Sequence, residues 1–295
     1  MSTWGENRIS RRSFIGLGGA ALAAACTMGA SSAEPKKKAV PIALQLYSLR
    51  NECKADLPGT LAAIGKMGFQ GVEWFGWGGY FGHTPKELRR MLDDNNLQTC
   101  SDHIHMDAFQ GDRFQRSLDL YQTLGNQVVT LSDLTGVKGD RKTTRYWLDA
   151  AKLMNELAEK LRPHGIRLGL HNHAAELQKL EDGRLPWEII FDNTSKDVVQ
   201  QLHLAQWPAA GLDPVAYIKR YPGRTLTMHM NDWAPGKREL LLGEGNVKWP
   251  EVFDAAETVG GIQWYIVEQE SYPFPPLESV EKSLANLRRL LAQRR

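Results

Sequence analysis

Histidines and carboxylates recur in short groups along this 295-residue chain: Glu73, His103 with His105, His171 with His173 and Glu176, His203, His229 with Asp232, and Glu268 with Glu270. A neutral imidazole offers a lone pair and a carboxylate offers charge. Together they make a donor set for a divalent ion such as Zn, Mn, Fe or Co. The same side chains also move protons near neutral pH. A metal-free pocket that hydrogen-bonds a sugar uses the same residue types, so residue type alone leaves both readings open. Cys53 and Cys100 are too far apart for a Cys-x-x-Cys ligand pair. An oxidising compartment permits a bridge between them but does not require one.

These residues gain meaning from the elements that carry them. Short apolar runs at 40–47, 71–75, 97–103, 127–131, 166–171, 198–204, 225–230 and 261–268 are predicted strands. The stretches 57–67, 85–94, 114–124, 143–161, 214–221, 249–259 and 277–291 space apolar residues as helices do. Strands that are continuously apolar are buried on both faces, as in a parallel sheet. Eight strand–helix units without a linker predict an α/β fold of the (β/α)8 TIM-barrel type over residues 34–295, rather than two domains. Catalytic groups in such a barrel sit at the carboxyl ends of the strands, and six of the eight histidines fall there. Trp74, Trp77, Trp207 and Trp233 also fall near strand ends, where an aromatic face can stack on a sugar.

The chain has 36 basic and 34 acidic residues, and residues 1–33 hold three of the former (Arg8, Arg11, Arg12) and one of the latter (Glu6), so the remainder is neutral. A neutral chain without a dense Lys/Arg run has no general reason to bind nucleic acid. Ser10-Arg-Arg-Ser-Phe-Ile-Gly16 precedes an apolar Gly/Ala-rich run to Ala25 that is too short to span a bilayer. It resembles a twin-arginine export signal. Cleavage after Ala33 fits the small residues Ser31 and Ala33, and a periplasmic product is expected. Lipidation at Cys26 fits less well, because Ala23 stands where a larger apolar residue is wanted.

From about residue 40 to the end, the chain resembles the xylose-isomerase-like sugar phosphate isomerase/epimerase family. The resemblance lies in Gly169-Leu-His-Asn-His-Ala-Ala-Glu176, Gly211-Leu-Asp-Pro-Val215 with Tyr221-Pro-Gly-Arg224, His229-Met-Asn-Asp232, Leu242-Gly-Glu-Gly245 and Trp264-Tyr-Ile-Val-Glu-Gln-Glu270. It implies a TIM barrel with one divalent ion held from strands five to eight, acting next to a carbonyl. His229 and Glu268 match the strand-seven and strand-eight ligands. His203 replaces the usual strand-six Asp, strand five carries His171-Asn-His173 instead of Glu, and Asn231 replaces a common Lys.

The metal set expected from this resemblance is His173, His203, His229 and Glu268. His171, Glu176 and His103 are the expected catalytic groups, with Glu176 free to swing over a substrate, and Glu73, His105 and Trp233 are expected to bind the substrate. The implied chemistry is metal-assisted proton abstraction beside a carbonyl, giving isomerisation, epimerisation or elimination from a 3-keto-glycoside. There is no Gly-rich phosphate loop, so an unphosphorylated sugar is expected. A periplasmic sugar-binding protein without catalysis is the rival; an apurinic endonuclease is disfavoured by the neutral charge. No membrane span is expected, and a homo-oligomer is left open.

Overall fold

The computed structural model describes residues 39–294; the expected export signal at 1–33 lies outside them. Eight parallel strands close in sequence order: β1 Ile42–Gln45, β2 Gly71–Phe75, β3 Gln98–His105, β4 Val128–Asp133, β5 Arg167–His171, β6 Val199–His203, β7 Thr227–Met230 and β8 Trp264–Val267, with β8 pairing back to β1. The α/β (β/α)8 barrel expected from the sequence is the fold observed.

Period-two alternation divides each strand between two environments. Leu44, Val72, Val129, Leu168, Leu202, Met228 and Val267 are fully buried in one apolar cluster shared with the surrounding helices. Burying side chains of this size contributes roughly 1.5–3 kcal/mol each. The alternate residues form a separate, mostly polar set. Its apolar part is small: Ala43, Cys100 and Ile266 group against Trp264, and Val128 and Val199 group with Leu226. The helical layer therefore supplies most of the apolar burial, and the barrel interior is left to chemistry.

Local sequence sets the helix boundaries. Asp56 caps Leu57–Met67 by accepting from Gly59 N at 2.9 Å, and Gly68 ends it at φ 92°. Thr84 and Glu87 form a capping box on Pro85–Asp94. Helices Arg50–Ala55, Pro186–Asp192 and Gln206–Ala209 add to the sequence expectation. The expected 249–259 helix ends at Ala255 and continues as a π turn over Ala256–Gly260, so β8 begins at Trp264 rather than at 261. Among the described residues no helix is long and apolar enough to cross a membrane. Cys53 and Cys100 are both free thiols, buried in different apolar clusters.

Candidate active site

Strand register brings the polar residues together. Gln45 lies beside Glu73, His171 beside Gln201, and His203 beside His229. Gln201 and His203 are two apart on β6 and share its inward face. His171, His203, His229 and Glu268 each offer one donor atom, all within 4.8 Å of one another, and all four residues are buried. They come from the ends of β5, β6, β7 and β8.

Glu73 lies beneath this group with no exposure at all. It accepts from Gln45 Nε2 at 2.7 Å and Gln201 Nε2 at 2.7 Å, and it contacts His229 Nε2. The other nitrogen, His229 Nδ1, is 2.7 Å from Glu268 Oε2. Burial alone would push the His229 imidazole down, but Glu268 and Glu73 outweigh it and raise it to about 10. Burial would likewise raise both carboxyls; the imidazoles facing them hold Glu73 below, and Glu268 well below, the usual range. Burial and the neighbouring imidazoles push His171 well down, and burial also lowers His103 against the pull of Glu73.

These charges provide a test of metal fit. With His171 and His103 neutral, two buried carboxylates face one imidazolium and leave one negative charge uncompensated. A divalent ion that displaces the His229 proton brings Glu73, Glu268 and the ion to neutrality. Donors placed 2.0–2.2 Å from one ion lie about 3–4.4 Å apart, within the spread of the four found here. His203 Nδ1 is 3.1 Å from Glu268 Oε2 but outside hydrogen-bond geometry, a buried nitrogen without a hydrogen-bond partner. Glu73 stands behind His229 as a carboxylate that orients a ligating imidazole. The residues fit a divalent ion, and three imidazoles with one carboxylate favour Zn, Mn, Fe or Co over Mg or Ca.

The expected site residues divide as follows. His203, His229 and Glu268 fall in the four-donor group, but His173 does not. It is exposed, its ring edge-on to His171 at 4.9 Å, and His171 occupies the donor position instead. The turn after β5 breaks the strand alternation, so only His171 keeps the inward direction. Glu176 does not swing over the cavity; it is buried, and its Oε2 accepts from His173 N at 2.8 Å. Glu73, expected to touch substrate, lies under the donors instead. His103 and His105 line a cavity of about 280 Å³ with Tyr47, Phe75, Ser132, Asp133, His171, His173, Glu268 and Glu270.

Trp233 lines neither this cavity nor the adjoining one of about 160 Å³ that reaches His203 and Asn231. Its backbone belongs to a turn knotted on Asp232, which accepts from Trp233 N, Gly243 N, Val247 N and Trp249 Nε1 at 2.9–3.1 Å. Trp74 and Trp207 are core residues, bonded through Nε1 to Thr99 and Asn172; the side chain of Trp77 lies outside the description. Asn231 Oδ1 accepts from Ala205 N, so its Nδ2 donates to His203 Nε2 at 2.7 Å and a neutral His203 carries its proton on Nδ1; ligation through Nδ1 requires that proton to move.

Residues 61–290 match the family model described as a xylose isomerase-like TIM barrel. The chain belongs to this family. The rhizopine catabolism protein MocC of Rhizobium meliloti is 22% identical over 273 residues, covering 79% of this chain and 81% of that protein. A sugar phosphate isomerase/epimerase from Parabacteroides distasonis superposes with a TM-score of 0.72 at 25% identity, covering 88% of this chain and 97% of the other. The IOLI protein with a bound zinc atom superposes with a TM-score of 0.65 at 14% identity, covering 86% and 99%. This xylose isomerase-like barrel is thus similar to proteins that include a sugar phosphate isomerase/epimerase, and its buried His/Glu cluster could hold a metal ion.

Proposed function

We propose that this xylose isomerase-like protein is a metal-dependent enzyme that abstracts a proton next to the carbonyl of an unphosphorylated sugar or keto-sugar. The observation that carries the proposal is the convergence of His171, His203, His229 and Glu268 beside a cavity at the carboxyl ends of the strands. Those four residues would hold the ion. When bound, the ion supplies Lewis-acid polarisation of a substrate carbonyl.

The chain supplies the rest. His103, neutral and on the cavity wall, is the proton acceptor. Glu270 lies at the same wall, and burial together with Glu268 raises its carboxyl above the usual carboxylate range, which suits it to deliver a proton. Tyr47 and Phe75 meet edge-to-face at 5.6 Å and offer apolar surface to sugar C–H groups. Among the described residues, the lining of this cavity contains Asp133, Glu268 and Glu270 and no Lys or Arg, and of these two basic types only Arg238 lines the adjoining one, which suits a neutral polyol better than a phosphate. For isomerisation or epimerisation the abstracted proton returns to carbon. For a 3-keto-glycoside, loss of the C2 proton to His103 forms the double bond to C1. The C1–O bond breaks, and the departing alkoxide takes the Glu270 proton. The Arg11-Arg12 pair and the apolar run behind it support export to the periplasm by the twin-arginine route.

The test is deuterium exchange from solvent into free and 3-keto sugars, followed by NMR, with Zn, Mn, Fe and Co each added back. Exchange or elimination on at least one sugar, abolished in His103→Ala with metal retained, supports the proposal. Sugar binding without exchange in the metal-loaded protein would leave a non-catalytic binder.

A further inference from the structure

The interior of the barrel holds an amide, Gln201, that every hydrogen-bonding direction around it fixes in one orientation. It is fully buried, and four contacts surround it: Gln201 Nε2 to Glu73 Oε1 at 2.7 Å, Nε2 to Thr227 Oγ1 at 3.0 Å, and Oε1 to His103 Nε2 at 2.6 Å and His171 Nδ1 at 2.9 Å. An ionised carboxylate can only accept. Glu73 therefore demands the NH2 end of the amide, which turns Oε1 toward the two imidazoles. A carbonyl oxygen also only accepts, so each imidazole must donate there. His103 is then the Nε2–H tautomer and His171 the Nδ1–H tautomer.

We infer that Gln201 is a positioning residue that sets the tautomers of His103 and His171 from the orientation imposed by Glu73. The consequence differs for the two rings. His171 is left with its lone pair on Nε2, the nitrogen away from Gln201, and can present it to an ion beside His203, His229 and Glu268. His103 is left with its lone pair on Nδ1, so it meets a substrate proton as a base. Two adjacent imidazoles, 4.7 Å between ring centroids, are thereby given opposite tautomers by one oxygen. Glu73 acts on the third imidazole directly: His229 Nε2 must donate to it, which leaves Nδ1 facing Glu268. A single buried carboxylate thus dictates which nitrogen is available on His103 and His171, and it holds one N–H of His229.

The consequence for metal binding rests on the proposed function, but the tautomers do not, and the experiment separates them. Long-range proton–nitrogen correlation spectra of metal-free protein with 15N-labelled histidine report each tautomer directly. The unaltered protein should show His171 as Nδ1–H and His103 as Nε2–H. Gln201→Met, which removes both polar ends, should return His171 to a mixture or to Nε2–H. Gln201→Glu keeps an acceptor for both rings and should preserve the tautomers even though it opposes Glu73. Zinc affinity measured by competition with a chelator should fall roughly 10–100-fold in Gln201→Met, as for other groups behind a ligand. His171 as Nε2–H in the unaltered protein, or unchanged tautomers in folded Gln201→Met, overturns the inference. Absence of zinc uptake by the unaltered protein instead overturns the metal reading and leaves the tautomer result standing.

Discussion

Replacing Glu73 with Gln changes one buried group without altering its shape, and the structure gives the size of the effect. In metal-free protein His229 is held at about 10 by two carboxylates against the cost of burial. Each pKa unit carries about 1.4 kcal/mol, so this rise from 6.5 is worth roughly 5 kcal/mol. A raised imidazole stabilises fully below its unfolded value of 6.5, and that stability is lost as pH climbs through the folded value of about 10. Removing one of the two carboxylates takes away roughly half of it. The amide also turns a donor toward Gln45, Gln201 or His229, leaving one buried donor unsatisfied for about 1–3 kcal/mol more. Urea unfolding in a chelator between pH 6 and 10.5 reads both parts. The unaltered protein should lose several kcal/mol over that range. Glu73→Gln should start about 3–5 kcal/mol lower near pH 6.5, follow a flatter curve, and close on the unaltered protein above pH 10. Asp102, raised to about 7 chiefly by burial, adds a slope in both proteins, slightly smaller in Glu73→Gln because the Glu73 charge is the least of the causes raising it. Parallel curves would refute the assignment of Glu73 as the partner of an imidazolium.

Three further outcomes can be measured. Glu176→Gln should keep full metal content and turnover within a few-fold, because its carboxylate braces the turn at His173 N; a loss of roughly 10²–10⁴-fold would restore it as a proton carrier. Cys53 and Cys100 should be inert to a thiol reagent in native protein, and denatured protein freshly isolated without reductant should expose both as thiols, since burial raises the Cys53 thiol to about 12 and the Cys100 thiol well up. Full-length chain carrying Arg11→Lys and Arg12→Lys should accumulate as precursor in the cytoplasm; unchanged periplasmic yield would count against the export signal.

The barrel was legible because burial on both faces leaves an unmistakable pattern: continuous apolar strands, each followed by a helical stretch. Gly71–Phe75, Leu57–Met67 and Pro85–Asp94 appear with the boundaries read from the sequence. Pro186–Asp192 escaped because seven residues, nearly all apolar, are too few to show a helical period. His203 and His229 could be placed beside one another from strand order alone. Gln201 could not be recognised, since an amide within a strand gains its role from Glu73, 128 positions away. Its one sequence signal is the two-residue spacing from His203. β5 ends at His171 as expected, so the choice between His171 and His173 turned on the turn that follows, which takes His173 out of the four-donor group. Glu176 read as mobile because it follows the strand, whereas the short turn folds it back onto the backbone.

Whether the four groups at the ends of β5 to β8 hold one divalent ion is decided by the metal content of the purified protein. Elemental analysis after loading with Zn, Mn, Fe or Co and exhaustive dialysis should give about one ion per chain in the unaltered protein and in Glu176→Gln. Glu268→Gln and His229→Ala should retain almost none. Trace metal in the unaltered protein under every loading condition, or full occupancy in Glu268→Gln, would contradict the account.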